Sequence, residues 1–266
     1  MRGRGSPLKG ASEDRLFLVE LGGKAILEKH QYMPQRDAMQ SVTPFTKVFD
    51  LRVRSDLHLV RKVWHMLMGL FMVGVYMAGL TRSQGVLILG FFLALNLVVE
   101  TARLRIPSFN EIVVRFWGPL MRSCEVNRYT GTPYYIASSL IAVGIFPKPI
   151  AALSIAFLAV GDPIASLFGI LYGDRSVRFS NGKSLIGTAA GMLACAGVAF
   201  LFLQFMNQTQ FMELRLEHLL ILSGIGGIAG GGAELLPMEV DDNFAIPVVS
   251  GFVLWLAFIG MGISTL

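Results

Sequence analysis

Of the 266 residues, 53% are hydrophobic and only 15% are charged, against about 25% charged in soluble domains. That balance excludes a water-soluble domain and makes the chain an integral membrane protein. The net charge of +5 originates in residues 1–62, and with no nucleic-acid module anywhere in the chain it excludes a nucleic-acid partner in favour of membrane topology and anionic headgroups.

Residues 1–50 read as a basic N-terminal segment on the cytoplasmic side, and 51–266 as a membrane-embedded catalytic domain. Within the first, LFLVELGGKAIL is compatible with a strand pair or a helix. VFDLRVRSDLHLVRK, residues 48–62, alternates basic and apolar residues and reads as a surface amphipathic segment or a plain connection. Apolar stretches then predict helices at about 63–80, 85–100, 133–147, 149–173, 184–206, 217–236 and 244–264, given about 20 residues per span. The fold class is therefore all-α and polytopic, with about seven transmembrane helices. Two cysteines, Cys124 and Cys195, are too few for a disulfide framework, and Cys195 reads as a small packing residue inside a span.

Charge between the spans sets the orientation. Residues 1–62 hold 12 of the 23 Lys and Arg. Arg103, Arg105, Arg115, Arg122 and Arg128 follow in the loop 101–132, and Arg175, Arg178 and Lys183 in the loop 174–183. Only Arg82, Lys148 and Arg215 fall on the other side. The excess places the N-terminus in the cytoplasm, and an odd number of spans places the C-terminus outside. Within 101–132, Phe109, Ile112, Val113, Phe116 and Trp117 have helical spacing and predict an amphipathic helix at the interface. Gly226 with Gly230, and Gly227 with Gly231, predict close helix packing.

Every multi-residue polar cluster lies on the cytoplasmic side. Asp162 stands two to three turns inside the fourth span, followed by Pro163, which breaks the helical hydrogen bonding. A carboxylate there costs about 2.5–3.5 kcal/mol on insertion scales, so it faces a partner, an ion or water. Asp174 lies at the inner end of the same span. Asn181, Lys183 and Ser184 open the fifth span, where free amides and a positive dipole suit phosphate. No Walker-type glycine precedes them, since Val177 occupies that position. Glu234 and the run Glu239-Val240-Asp241-Asp242-Asn243 concentrate oxygen ligands of the kind that hold Mg²⁺ together with phosphate oxygens, or else cap the last helix. Arg61, Lys62 and His65 open the first span, and Glu100 and Arg103 close the second.

RKVWH at 61–65, E-x-x-R at 100–103, GDPIASLFGILYG at 161–173, NGKSLIGTAAG at 181–191, and Glu234 with DDNFAIP at 241–247 together resemble the CTP-dependent lipid-alcohol kinases. These include dolichol, phytol and fungal-type diacylglycerol kinases. The resemblance covers about residues 52–260, and FNEIVVRFWGPLMRSCEVNRYTGTPYYI looks most like the diacylglycerol kinase branch. It implies γ-phosphate transfer from CTP to a diacylglycerol or polyprenol hydroxyl at the cytoplasmic face of a bacterial inner membrane or the endoplasmic reticulum. It also implies Mg²⁺ held by Asp162 with Asp241 or Asp242. Phosphate or nucleotide would be held by Arg61, Lys62, His65, Arg103, Asn181, Lys183, Ser184 and Asn243, with Asp162, Glu100 or Glu234 as the base. The architecture is also similar to that of phosphatidate cytidylyltransferases, but DDNFAIPVVSG lacks the Pro-Gly-His-Gly-Gly ending of those enzymes. CDP-lipid synthesis is thus the alternative. A cation-coupled transporter using Asp162 and Glu234 is a further one, disfavoured by the one-sided clusters. The oligomeric state is left open.

Overall fold

The computed structural model describes residues 16–21, 24–29, 58–236 and 241–264. The chain divides into two units, Met1–Asp50 and Leu51–Leu266. In the first, strands β1 (Leu16–Leu21) and β2 (Lys24–Lys29) form an antiparallel pair in the register Leu16↔Lys29 to Leu21↔Lys24. That decides the strand-or-helix alternative for this stretch in favour of strands. Residues 48–57, where the amphipathic surface segment is expected, lie outside the described residues, as does Glu239.

The second unit is helical. Helix α1 (Leu59–Met77) leads through a short turn to α2 (Arg82–Arg105), which starts on a reciprocal Thr81–Gln84 capping box. Helix α2 runs five residues beyond the expected end. It stops at Ile106 because Pro107 disfavours helical backbone before it and opens α3 (Pro107–Trp117). Helix α3 is amphipathic as expected: Asn110 and Val114 are buried one turn apart, while Ile112, Phe116 and Trp117 are exposed.

After two 3₁₀ turns, Gly118–Leu120 and Ser123–Asn127, come α4 (Thr132–Ile145), α5 (Lys148–Tyr172), α6 (Leu185–Gln208), α7 (Leu216–Gly232) and α8 (Asp242–Gly260). Among the described residues, six helices are long and apolar enough to cross a membrane. The seventh expected span is α4, whose 14 residues reach about 21 Å, short of the ~30 Å hydrocarbon core. Pro133 sits in its first turn, and Phe146 is extended before Pro147 at its end, so proline sets both limits.

Helix α5 is the central post. Ile150 to Ala159 are at most 3% exposed, enclosed by protein rather than lipid, and α1, α4, α6, α7 and α8 all pack on it. By contrast α1 shows Leu67, Leu70, Phe71 and Val75, and α2 shows Leu87, Phe91, Leu95 and Val98, as exposed apolar faces suited to lipid. Helix association in a bilayer draws on close packing rather than on water exclusion. The glycines supply it: a Cβ at Gly187 would come within 2.7 Å of the Ala165 carbonyl, one at Gly227 within 2.7 Å of the Met192 carbonyl, and one at Gly231 would overlap the backbone of Met192 and Gly191. This is the packing role expected of the 226–231 glycines. Buried Cys195, likewise as expected, fills a packing position beside Gly161 and Gly230.

At the end of the bundle opposite the polar clusters, Lys148 donates to the Leu80 carbonyl at 3.0 Å and lies 5.1 Å from the Tyr76 ring centre, and Arg82 donates to the Phe146 carbonyl at 3.2 Å. These two basic residues, which stand apart from the main excess, serve helix ends. Replacing Gly231 by Val should cost about 1–3 kcal/mol or prevent folding, because backbone atoms cannot rotate away. Gly197→Ala, with nothing within 4 Å of the added methyl, should leave the thermal midpoint in detergent unchanged or higher.

Candidate active site

Two buried ion pairs fasten the 118–130 loop to the helix ends. Arg103 and Glu100, one turn apart on α2, pair at 2.7 Å and 3.0 Å, with Arg103 0% exposed at its side chain. The remaining Arg103 donors reach the carbonyls of Val126 and Arg128 and the Asn110 side chain, while Glu100 accepts the Thr130 amide and hydroxyl. Arg61 makes a two-pronged pair with Glu125 at 2.6 and 2.9 Å and donates to the Leu120 carbonyl at 3.0 Å. Burial alone would raise the Glu125 carboxyl, but Arg61, the Arg122 amide and the Arg122 charge hold it below the usual carboxylate range. Removing one partner from a buried pair of this kind costs about 3–5 kcal/mol. Glu100, expected as a base, and Arg103, expected as a phosphate ligand, here spend their hydrogen bonds on each other and on the loop.

Asp162 is different. It is half-buried on α5, and among the described residues its carboxylate has no hydrogen bond or ion pair. Its charge nonetheless acts on Arg61, Lys62 and His65 of α1, on Tyr135 of α4, on Lys183 before α6 and on Asp241 before α8. Side chains distant in sequence thus converge on one carboxylate. His65 donates through Nε2 to the Leu158 carbonyl at 3.2 Å, one turn from Asp162, and stacks on Tyr135 with ring centres 4.5 Å apart. Lys62 Nζ and Tyr135 Oη are buried with no hydrogen-bond partner among the described residues.

Lys183 is held by a tight turn. Gly182 takes φ +82°, a left-handed conformation that glycine adopts without a Cβ penalty, and Phe179 and Lys183 are linked through a backbone bond of 2.8 Å. The ammonium bonds Asp242 at 2.6 Å and Glu234 at 3.0 Å, and Glu234 accepts the Thr188 hydroxyl at 2.7 Å. Burial opposes the Lys183 charge, but Asp242, Glu234 and Asp162 outweigh it and raise its pKa above the ordinary lysine value. It stays a fixed cation.

The α6 N-terminus, expected to cradle phosphate, is already capped. The Leu185 amide donates to the Val177 carbonyl, the Gly187 amide to the Ser184 hydroxyl, and buried Ser184 is the N-cap. Asn181 ties the turn to the Glu234 carbonyl and the Lys183 amide. Asn243 bonds the Gly131 carbonyl and the Asp241 side chain, and its own carbonyl accepts from Ser138. Ser184, Asn181 and Asn243, expected to hold phosphate or nucleotide, thus each bond backbone groups of the neighbouring turns. Asp174 pairs with Arg178 on the exposed surface, where such pairs contribute little.

Among the described residues no three His, Cys, Asp or Glu side chains group as a metal cage. Asp242 is the counter-ion of Lys183, which leaves Asp162 and Asp241. Burial pushes the Asp241 carboxyl above its ordinary range, and Asp242 and Asp162 add to this against the Asn243 amide and Arg122. Two carboxylates with no ion pair among the described residues suit Mg²⁺ in its usual arrangement, one or two protein carboxylates completed by substrate phosphates and water.

Glu125, Arg122 and Tyr135 are the members of this region that the sequence did not single out. Glu125 meets Arg61 across 64 residues, and Tyr135 sits inside an apolar run.

No family model and no solved structure matches the chain. Among characterised proteins it is 32% identical over 206 residues to CTP-dependent diacylglycerol kinase 1 of Eremothecium gossypii, covering 71% of this chain and 64% of that protein. It is 30% identical to the Schizosaccharomyces pombe protein of the same name, covering 74% and 91%. It is 23% identical to phytol kinase 1, chloroplastic, of Arabidopsis thaliana, covering 75% and 66%. The chain thus spans a little under two thirds of the Eremothecium relative and most of the Schizosaccharomyces one. With α-helical spans, an inserted carboxylate and basic side chains gathered round it, it belongs to the family of membrane lipid kinases that these CTP-dependent diacylglycerol kinases represent.

Proposed function

We propose that this multi-pass protein transfers the γ-phosphate of CTP to the hydroxyl of a membrane lipid alcohol, diacylglycerol before polyprenol, at the cytoplasmic face. The observation that carries the reading is the unpartnered carboxylate of Asp162 at the meeting point of Arg61, Lys62, His65, Lys183 and Asp241. Phosphoryl transfer asks mainly for positioning and charge stabilisation, and this set offers both. The concentration of Lys and Arg in 1–62, 101–132 and 174–183 supports the cytoplasmic side.

Lys183 and Lys62 would hold the triphosphate, with Arg61 and Arg122 adding positive charge at its edge. Asp162 and Asp241 would hold Mg²⁺, which when bound supplies neutralisation of the phosphate oxygens. The acceptor oxygen bonds to the γ-phosphorus as the bridging P–O bond to the β-phosphate breaks. CDP leaves with the electron pair, and the acceptor proton passes to Asp162. Of the three carboxylates expected as base, Glu100 bonds Arg103 and Glu234 bonds Lys183 and Thr188, so Asp162 is the one without a hydrogen-bonded partner among the described residues, and one of its oxygens can face the acceptor while the other faces the metal.

With purified protein, Mg²⁺ and a panel of diacylglycerol, phytol and polyprenol, γ-labelled CTP should mark the lipid and α-labelled CTP should not. Label from the α position would mean cytidylyl transfer instead. Asp162→Asn should lower turnover by about 10²–10⁴-fold while the protein remains in the membrane; undiminished turnover would remove Asp162 from the mechanism.

The raised carboxyl of Asp241 also has a sign. Its folded pKa exceeds its unfolded one, so its contribution to stability is present below the unfolded value and lost as pH rises through the folded value. At pH 7, Asp241→Asn should therefore raise the thermal midpoint of the ligand-free protein and lessen the further rise produced by Mg²⁺ with CTP. A lower ligand-free midpoint would contradict this.

A further inference from the structure

Tyr135 is 7% exposed, and its hydroxyl oxygen is buried without a hydrogen-bond partner among the described residues. Buried tyrosine hydroxyls ordinarily find one, and a phenylalanine would fill the same space without an orphaned polar group. The surroundings are shaped to admit this oxygen. A methyl at Gly69 of α1 would overlap the Tyr135 hydroxyl and press on Ala159 of α5, so glycine at 69 leaves room for the OH. Ala159 stands three residues before Asp162, on the same face of α5. The Tyr135 ring stacks on His65, which is bonded to the Leu158 carbonyl. Three helices therefore bring an unpaired neutral hydroxyl to the stretch of α5 that carries an unpaired carboxylate.

Depth decides the ligand. Gly69 lies eight residues along α1 from Arg61, about 12 Å farther into the bilayer at 1.5 Å per residue. Arg61, Lys62 and Lys183 near the helix ends suit the charged nucleotide. The deeper, uncharged position suits a neutral lipid oxygen. Resting on the kinase reading above, we propose that the Tyr135 hydroxyl binds the reacting hydroxyl of the acceptor lipid and aims its proton at Asp162. The acceptor oxygen then accepts a hydrogen bond from Tyr135, gives its proton to Asp162, and keeps a lone pair for the γ-phosphorus.

Tyr135→Phe preserves the ring and the stack on His65. In mixed micelles with Mg²⁺ and γ-labelled CTP, the variant's KM for diacylglycerol should rise about 3- to 10-fold, the loss expected for one neutral hydrogen bond, with the KM for CTP unchanged. Without lipid its thermal midpoint should equal or exceed that of the wild type, because an orphaned hydroxyl has gone. Diacylglycerol without nucleotide should raise the wild-type midpoint more than the variant's. An unchanged acceptor KM, or equal changes in the acceptor and CTP values, in an otherwise active enzyme would overturn the assignment of Tyr135 alone. Wild-type protein that transfers no label to any lipid alcohol would overturn the kinase reading and this inference with it.

Discussion

One unneutralised carboxylate inside an enclosed helix organises the molecule. Asp162 is carried by α5, whose preceding turns are buried by protein on every side, so neither lipid nor bulk water surrounds the helix just above it. A charge so placed is tolerated only where other charges or a ligand meet it. The bundle meets it from α1, the turn before α6 and the start of α8 without any one cation pairing with it. Shared but unsatisfied charge of this kind is what a site for a polyanion bridged by a divalent cation requires.

Two ion pairs anchor the loop beside this site. Arg103 with Glu100, and Arg61 with Glu125, are closed, short and buried. They fix the loop that follows the interfacial helix α3 against the ends of α1 and α2. Lys183 stands between the two kinds. It is held by Asp242 and Glu234, yet it lies within the field of Asp162. The glycines of α6 and α7 let these helices approach closely enough for Thr188 and Lys183 to reach Glu234. Packing in the membrane core thereby sets geometry at its edge.

Much of the fold was legible in the sequence because hydropathy and basic-residue asymmetry act over whole segments. The helices begin and end within a few residues of the expected positions, except α2, where Pro107 rather than the apolar pattern marks the end. Helix α4 read as a span because its residues are apolar, and its proline-bounded length made it short. In the site, Asp162, Lys183 and Asp242 were legible because each is an ionisable group where the surrounding composition disfavours one. Glu100 read as a base and Arg103 as a phosphate ligand, while their three-residue spacing puts them on one helix face, where they pair with each other. The Asp241–Asp242 run had the alternative reading of a cap on the last helix, and Asp241 is the N-cap of α8, its side chain accepting the Asn243 amide. Glu125 and Tyr135 owe their importance to contacts 64 and 70 residues away, with Arg61 and His65, and no local pattern signals such contacts.

The central claim is that Asp162 serves a cation-bridged nucleotide rather than the fold. Calorimetric titration of CTP into the purified protein, with and without Mg²⁺, tests it most directly. The account predicts binding that depends on Mg²⁺ and is lost in Asp162→Asn while the variant's unfolding transition is retained. Equal CTP binding by the wild type and the variant, with no dependence on the metal, would contradict it.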